Sequence, residues 1–535
     1  MSNTTFLKFC TLDLSRAEDG ETCRTVLSVI CVEFDHNDTI RHNAELYYGA
    51  VAVLTKHLSM TDHHEEIRMI CAAMEMSFRG GTKFVKEAFH MNGADMIPLL
   101  LRLLDRCEQS RIRYADEIIL NISKVFHYLS RISDLRVTVA RQQGLLDCLG
   151  RVASTPLNVA SRNVRVRIIA NLANCDDNKI LMLVHPGLLA SLLKIAQLDL
   201  SDDTRQYAAT TIMDLASAPA NQIPMAKNSQ FLRGLTKMTV ADGDATIREC
   251  AVTTLQNLAF PKNNRKRLVE FQEGFVLEAL LGVVLNERNV KTRRRAGGAL
   301  TNLVFSDTVE RMARQPELLS TLAAVSVNDE SLEVQSRACL ALTKIATSVD
   351  VNLTSWNDLL SALVVASDTK AKNNIAAVLR CKAREIENRE SLARHPKILS
   401  ILAEICCNQS ASLKDRDNAT RALMHLANEN ANRKIMCSEK ILDALVRGAS
   451  TFPDSEDNSA DNQIMKEIQD SAIRAIARLA TEFSNRQVMA MHKGLLVTLA
   501  KATERECKSQ DRGVSSDGQQ PSLGKPLLMS LLMAM

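Results

Sequence analysis

The chain has 535 residues, of which 46% are apolar, 24% charged and only 4% aromatic. Its 19 glycines and 11 prolines are too few for the turns of a large sandwich or barrel, and the apolar fraction is too high for general disorder. A net charge of +4 exerts no global pull on nucleic acid or membranes.

From the N-terminus, residues 1–22 read as a cap or flexible segment, without the charged and apolar regions of a signal peptide. Further on, one phrase recurs: an apolar residue, two more residues, a polar residue, then Leu-Ala. It reads IIANLA at 168–173, TIMDLA at 211–216, TLQNLA at 254–259 and ALTNLV at 299–304. Degenerate copies are ALTKIA at 341–346, VLRCKA at 378–383, ALMHLA at 422–427 and AIARLA at 475–480. The polar residue is the anchor: Asn171, Asp214, Asn257, Asn302, Lys344, Cys381, His425 and Arg478. The spacings are 43, 43, 45, 42, 37, 44 and 53. An internal period of this size marks a repeat architecture.

Other columns keep step. Six residues before the anchor stand Ala208, Ala251, Ala296, Ala338, Ala419 and Ala472, small enough for helices to approach closely. Seven after it stand Asn178, Asn221, Asn264, Asn388, Asn432 and Asn485, which suit an N-cap. Sixteen after it falls a break residue such as Gly187 or Gly494. By the same count Gly144, Gly93 and Gly49 extend the period toward the N-terminus. Each unit therefore reads as a long helix, a short helix and a second long helix. Lys382 stands where an apolar residue is expected, which predicts a bent or trimmed helix.

These columns resemble the armadillo repeat, with a HEAT-like trace in an arginine nine residues before the anchor: Arg24, Arg68, Arg162, Arg205, Arg248, Arg293 and Arg416. The resemblance implies an all-α fold, a right-handed α-α superhelix of about eleven three-helix repeats. Divergent repeats are expected over 23–158 and regular ones over 159–503. An acidic loop insert lies at 451–463, and 504–535 reads as a disordered tail.

In such a superhelix the anchor and the residue four before it face the concave groove. That places Arg167, Asn171, Asp214, Asn257, Asn302, Lys344, Arg421, His425, Arg474 and Arg478 on a partner-binding surface. An asparagine offers both donor and acceptor to an extended backbone; alternatively it satisfies groups between adjacent repeats. The second half of the row is basic, which favours a partner with an acidic segment; the alternative is a solvated charged face. The arginine column reads as a ladder of Arg–carboxylate pairs between repeats, with Asp203, Asp244 and Asp415 close in sequence. Two basic clusters, Lys262/Arg265/Lys266/Arg267 and Lys291/Arg293/Arg294/Arg295, read either as localisation or nucleic-acid patches or as solvated helix faces.

No catalytic motif is present, no metal set has ligand spacing, and no cofactor is expected. The 14 cysteines include no CxxC pair and read as reduced. The apolar tail segment Leu527–Met535 falls short of the roughly 20 residues a membrane span needs. The expectation is a monomeric, non-catalytic interaction scaffold of the cytoplasm or nucleus, with a protein partner and no nucleic acid favoured. Two alternatives follow from the resemblance: a nuclear-import adaptor of the importin-alpha kind and a regulator of a small GTPase. Import adaptors carry tryptophan four residues before the asparagine; here Arg167, Thr253 and Gly298 stand there.

Overall fold

The structure is a computed structural model and describes residues 20–36, 44–79, 82–109, 112–313, 315–348, 369–395, 397–451, 460–501 and 504. Residues 1–19, Trp356, residues 452–459 of the insert and the tail from 505 lie outside the described residues. Every regular element among the described residues is helical. The chain divides into two compact units, Met1–Val283 and Val284–Met535.

The anchor phrases lie on long helices. In the first unit these are α1 (Gly20–His36), α2 (His64–Phe78), α3 (Ala115–Arg131), α4 (Val159–Ala173), α5 (Asp202–Ser217) and α6 (Ala245–Leu258). In the second they are α7 (Val290–Leu303), α8 (Leu332–Ser348), α9 (Thr369–Arg384), α10 (Leu413–Ala427) and α11 (Ala460–Ala480). Within each unit consecutive anchor helices pack on one another. Short helices such as Asp176–Val184 and Pro219–Lys227 form a second column, and helices such as Leu188–Leu198 and Ser229–Ala241 a third. Each unit is thus a stack of helical repeats, in which a helix meets only its neighbours.

Apolar burial at the repeat pitch drives this stacking. Leu172, Leu215, Leu258, Leu303, Leu426 and Leu479, each following an anchor, are buried, and each contributes about 2 kcal/mol. The alanines six residues before the anchors are buried too. Close approach is measurable beside Ala296: a Cβ added to Gly297 would stand 3.1 Å from Cβ of Arg337 on the next anchor helix.

The breaks fall partly where expected. Gly144, Gly187 and Gly494 hold left-handed backbone, φ +86°, +79° and +97°, immediately before the next apolar run. Gly49 and Gly93, by contrast, lie inside the helices Ala44–Leu58 and Thr82–Gln109. The latter runs for 28 residues and takes the place of both the short and the second helix of its repeat. Lys382 neither bends nor trims its helix, which runs unbroken from Thr369 to Arg384. It is buried, and its Nζ reaches Glu385 Oε1 at 3.2 Å.

The asparagine column corrects the expectation of N-caps. Its members sit inside the short helices and donate rather than accept. Asn178 Nδ2 donates to Leu172 O and to Arg136 O, both at 3.1 Å. Asn221 reaches Leu215 O and Lys179 O, and Asn264 reaches Leu258 O and Gln222 O. Asn432 and Asn485 repeat this with Leu426 O and Arg389 O, and with Leu479 O and Arg433 O. Each amide staples the C-terminus of one anchor helix to the short helix of the preceding repeat, adding a donor to one carbonyl of each. Asn388 departs from the pattern, its Nδ2 taken by Glu385. An arginine often follows the asparagine and caps the next carbonyls. Arg389 donates to Ala383 O and Arg384 O, and Arg433 to Ala427 O and Asn428 O. Its positive charge also suits a helix C-terminus. The N-caps are elsewhere, at the starts of anchor helices: Asn158, Ser201, Asp244, Asn289 and Ser412.

The arginine column departs from the expected inter-repeat ladder. Arg68 reaches Glu117 of the next anchor helix, but the pairs of Arg162, Arg205 and Arg293 close a repeat on itself, and with other carboxylates than the nearby ones. Arg162 pairs with Asp199 and Arg205 with Asp242; Arg293 holds Asp329 with two bonds of 2.8 and 3.0 Å. Each of these aspartates lies at the C-terminus of the second long helix of the same repeat. Asp244 is instead the N-cap of α6. Arg248 turns to the carbonyls of Asp242 and Gly243.

Replacing Asn264 with aspartate should lower stability by about 2 kcal/mol, since a carboxylate there faces two carbonyl oxygens and cannot donate. A urea titration reads this directly; an unchanged midpoint would remove the staple from the account.

Candidate interaction surface

In the first unit the anticipated row runs along α4, α5 and α6. Arg167 stacks its guanidinium over Tyr207 of α5, 5.4 Å from the ring centroid. The Asn171 amide is already used: Nδ2 donates to Ser130 Oγ at 2.9 Å and lies 3.5 Å from His127 Nδ1 on α3. Asp214 is half-buried, and burial raises its carboxyl above the ordinary value while Lys179 opposes the shift. Asn257 is partly exposed, and its side chain makes no hydrogen bond to the described residues. Thr253, one turn before it, donates to Glu249 O in its own helix at 2.7 Å.

In the second unit Asn302 of α7 likewise presents an uncommitted amide among the described residues. Lys344 of α8 donates to Thr301 O at 3.1 Å. Arg421 of α10, expected as a groove charge, is matched internally. Its Nε donates to Asp417 Oδ1 at 2.7 Å, and its Nη2 pairs with Glu467 of α11. Asp417 is buried and also lies 3.6 Å from Arg380 Nη1, which donates to Asn418 Oδ1 at 2.8 Å. Arg474 and Arg478 are exposed on α11 and form no hydrogen bond or ion pair through their side chains with the described residues. Arg384, at the end of α9, is exposed as well.

One histidine in each unit is held neutral. Burial, then Arg167 and Arg131, pushes His127 down to about 4. Burial, then Arg389, Arg384, Arg380 and Arg421, pushes His425 down to about 4. A neutral His127 fits the amide nitrogen beside its Nδ1. His425 therefore reports a cluster of guanidinium groups without adding to it.

The basic clusters are largely spent on structure. Arg265 caps Ala259 O and Phe260 O, Lys266 lies 4.0 Å from Glu270, and Arg294 meets Glu333 at 2.7 Å. Sequence reasoning missed one fully buried pair, Arg165 on α4 and Glu108, 2.6 Å apart. A Cys-Glu run and an isolated Arg carry no periodic signal that could have revealed it. Among the described residues no group of three or more His, Cys, Asp or Glu side chains could hold a metal ion. No single described helix is long and apolar enough to cross a membrane.

No protein-family model and no curated protein matches the chain. Solved structures do. One is an engineered protein, 17% identical, with a TM-score of 0.55 over 80% of this chain and 98% of that one. Another comes from a study of the phosphorylation switch controlling the interaction between cadherin and beta-catenin. It is 14% identical, with a TM-score of 0.61 over 98% of each chain. At such identities the likeness is one of fold, and the fold is an armadillo-like helical solenoid.

The two depressed histidines set a pH dependence. Their folded values lie below the unfolded value of about 6.5, so the unfolded chain binds the extra protons. The stability they protect is full above about pH 6.5 and is lost as pH falls toward 4. Between pH 7 and pH 5 the melting temperature should drop less in the His127→Gln/His425→Gln variant than in the parent. Parallel drops would refute the neutral assignment.

Proposed function

We propose that this protein is a non-catalytic interaction scaffold of the armadillo kind. In the second unit, the exposed face of its anchor helices takes an acidic segment of a partner protein. One observation carries the reading: Arg474 and Arg478 stand one turn apart on α11, exposed and in direct ion pair with no described carboxylate, although Asp470 lies near enough to Arg474 to feel its charge. An arginine used only for folding is normally satisfied, as Arg293 and Arg389 are here. Two unpaired guanidinium groups on one helix face suit two carboxylates of an extended or helical segment. Asn302 supports the same reading, because a free amide can hold a backbone peptide group through one donor and one acceptor. Asn257 offers the same group in the first unit.

Binding of a fluorescein-labelled glutamate-rich peptide tests this. Arg474→Glu/Arg478→Glu should weaken capture by about tenfold or more, equal to roughly 1.4 kcal/mol, while the urea midpoint stays put. Equal affinity for parent and variant would overturn the acidic-segment reading.

A further inference from the structure

Arg421 and Arg474 hold the same place in their repeats, four residues before the anchor, yet their states differ. Arg421 is 25% exposed and carries two carboxylates, Asp417 on its own helix and Glu467 on the next. The two acids are not equivalent. Asp417 is 8% exposed and shared with Arg380, so it belongs to the packing between α9 and α10. Glu467 is 40% exposed and meets only the outer nitrogen, Nη2. Asp417 thus fixes the guanidinium plane, and Glu467 occupies the edge left over.

Glu467, Arg474 and Arg478 lie on one stripe of α11. Seven and eleven residues separate the first from the others, close to whole numbers of turns at 3.6 residues each. Arg474 is about 10 Å along the helix from Glu467 at 1.5 Å per residue. A carboxylate-rich segment seated on Arg474 and Arg478 therefore runs past Asp470 toward Arg421, where an internal carboxylate already sits.

We infer that Glu467 is an internal stand-in for a partner carboxylate and acts as a competitor that sets how acidic a segment must be to bind. This rests on the acidic-segment reading above. A half-exposed ion pair is weak, so Glu467 is displaceable. It is also tethered to the neighbouring helix, so its effective concentration is high, in the mM range for short connections. A ligand offering one carboxylate gains little by exchanging with it. A ligand offering several reaches Arg474, Arg478 and Arg421 together and displaces it. Glu467 is therefore a specificity-determining residue of this face rather than a structural one, and the fold does not depend on it as it does on Asp417.

The test uses the full chain and the labelled glutamate-rich peptide, followed by fluorescence anisotropy. Glu467→Gln should tighten binding about threefold to fivefold, the size of one exposed ion pair. The gain should be larger for a peptide with eight glutamates, which reaches Arg421, than for a short one with two, which Arg474 and Arg478 take up. It should vanish in Glu467→Gln/Arg421→Gln, because the released guanidinium is its source. Measurable binding by the parent, weakened by Arg474→Glu/Arg478→Glu but unchanged by Glu467→Gln, would overturn this inference and leave the acidic-segment reading standing. Binding by Glu467→Gln alone supports the inference in its strongest form. Absence of binding by both parent and Glu467→Gln overturns the two together.

Discussion

The interaction on which the repeats depend is a side-chain amide donating to two backbone carbonyls. A helix ends with carbonyls that have no partner of their own, and burial makes each one costly. Here the ends of anchor helices are buried because another repeat lies against them. Asn178, Asn221, Asn264, Asn432 and Asn485 answer this with one residue each. The same nitrogen also reaches the preceding short helix, so helix capping and repeat stacking are a single event. A leucine contributes more by area but accepts many geometries; the amide accepts one. Apolar burial makes the helices adhere, and the staple fixes their register.

The ionic pairs work at the opposite edge of the repeat. Arg162, Arg205 and Arg293 reach aspartates that terminate the second helix of their own repeat. The charge of the arginine suits the negative end of that helix as well as the carboxylate. Staples reach backward by one repeat, whereas these arginines tie the start of an anchor helix to the end of the second helix of its own repeat. Arg474, Arg478, Asn257 and Asn302 are not used in these contacts.

Much of the fold was legible because burial at a fixed pitch leaves a fixed pattern. The anchor leucines, the small alanines and the left-handed glycines at 144, 187 and 494 all stand where the period puts them. What failed had a physical cause. An asparagine can accept at a helix start or donate at a helix end, and spacing alone does not say which. One of the two carbonyls it serves lies about one repeat back, and the aspartates paired with the arginines lie 36 or 37 residues ahead. Both are invisible until the packing pitch is known. The candidate surface was legible as a set of positions and illegible as a set of states. Arg421 and Arg474 share a column, yet only Arg421 is in direct ion pair with carboxylates, one of them on a different helix.

The staple from Asn485 spans 52 residues, whereas those from Asn178, Asn221 and Asn264 span 42 each. The additional residues belong to the repeat that carries the acidic insert. Both bonds of Asn485 nevertheless keep the usual lengths, 2.9 and 3.1 Å. Contour length and stacking register are thus independent variables in this architecture. A stretch of sequence can grow between α10 and α11 without shifting any amide off its carbonyls. The site between Thr451 and Ala460 is therefore a natural port, where evolution or a protein engineer can lodge a new peptide while the neighbouring repeats keep their alignment.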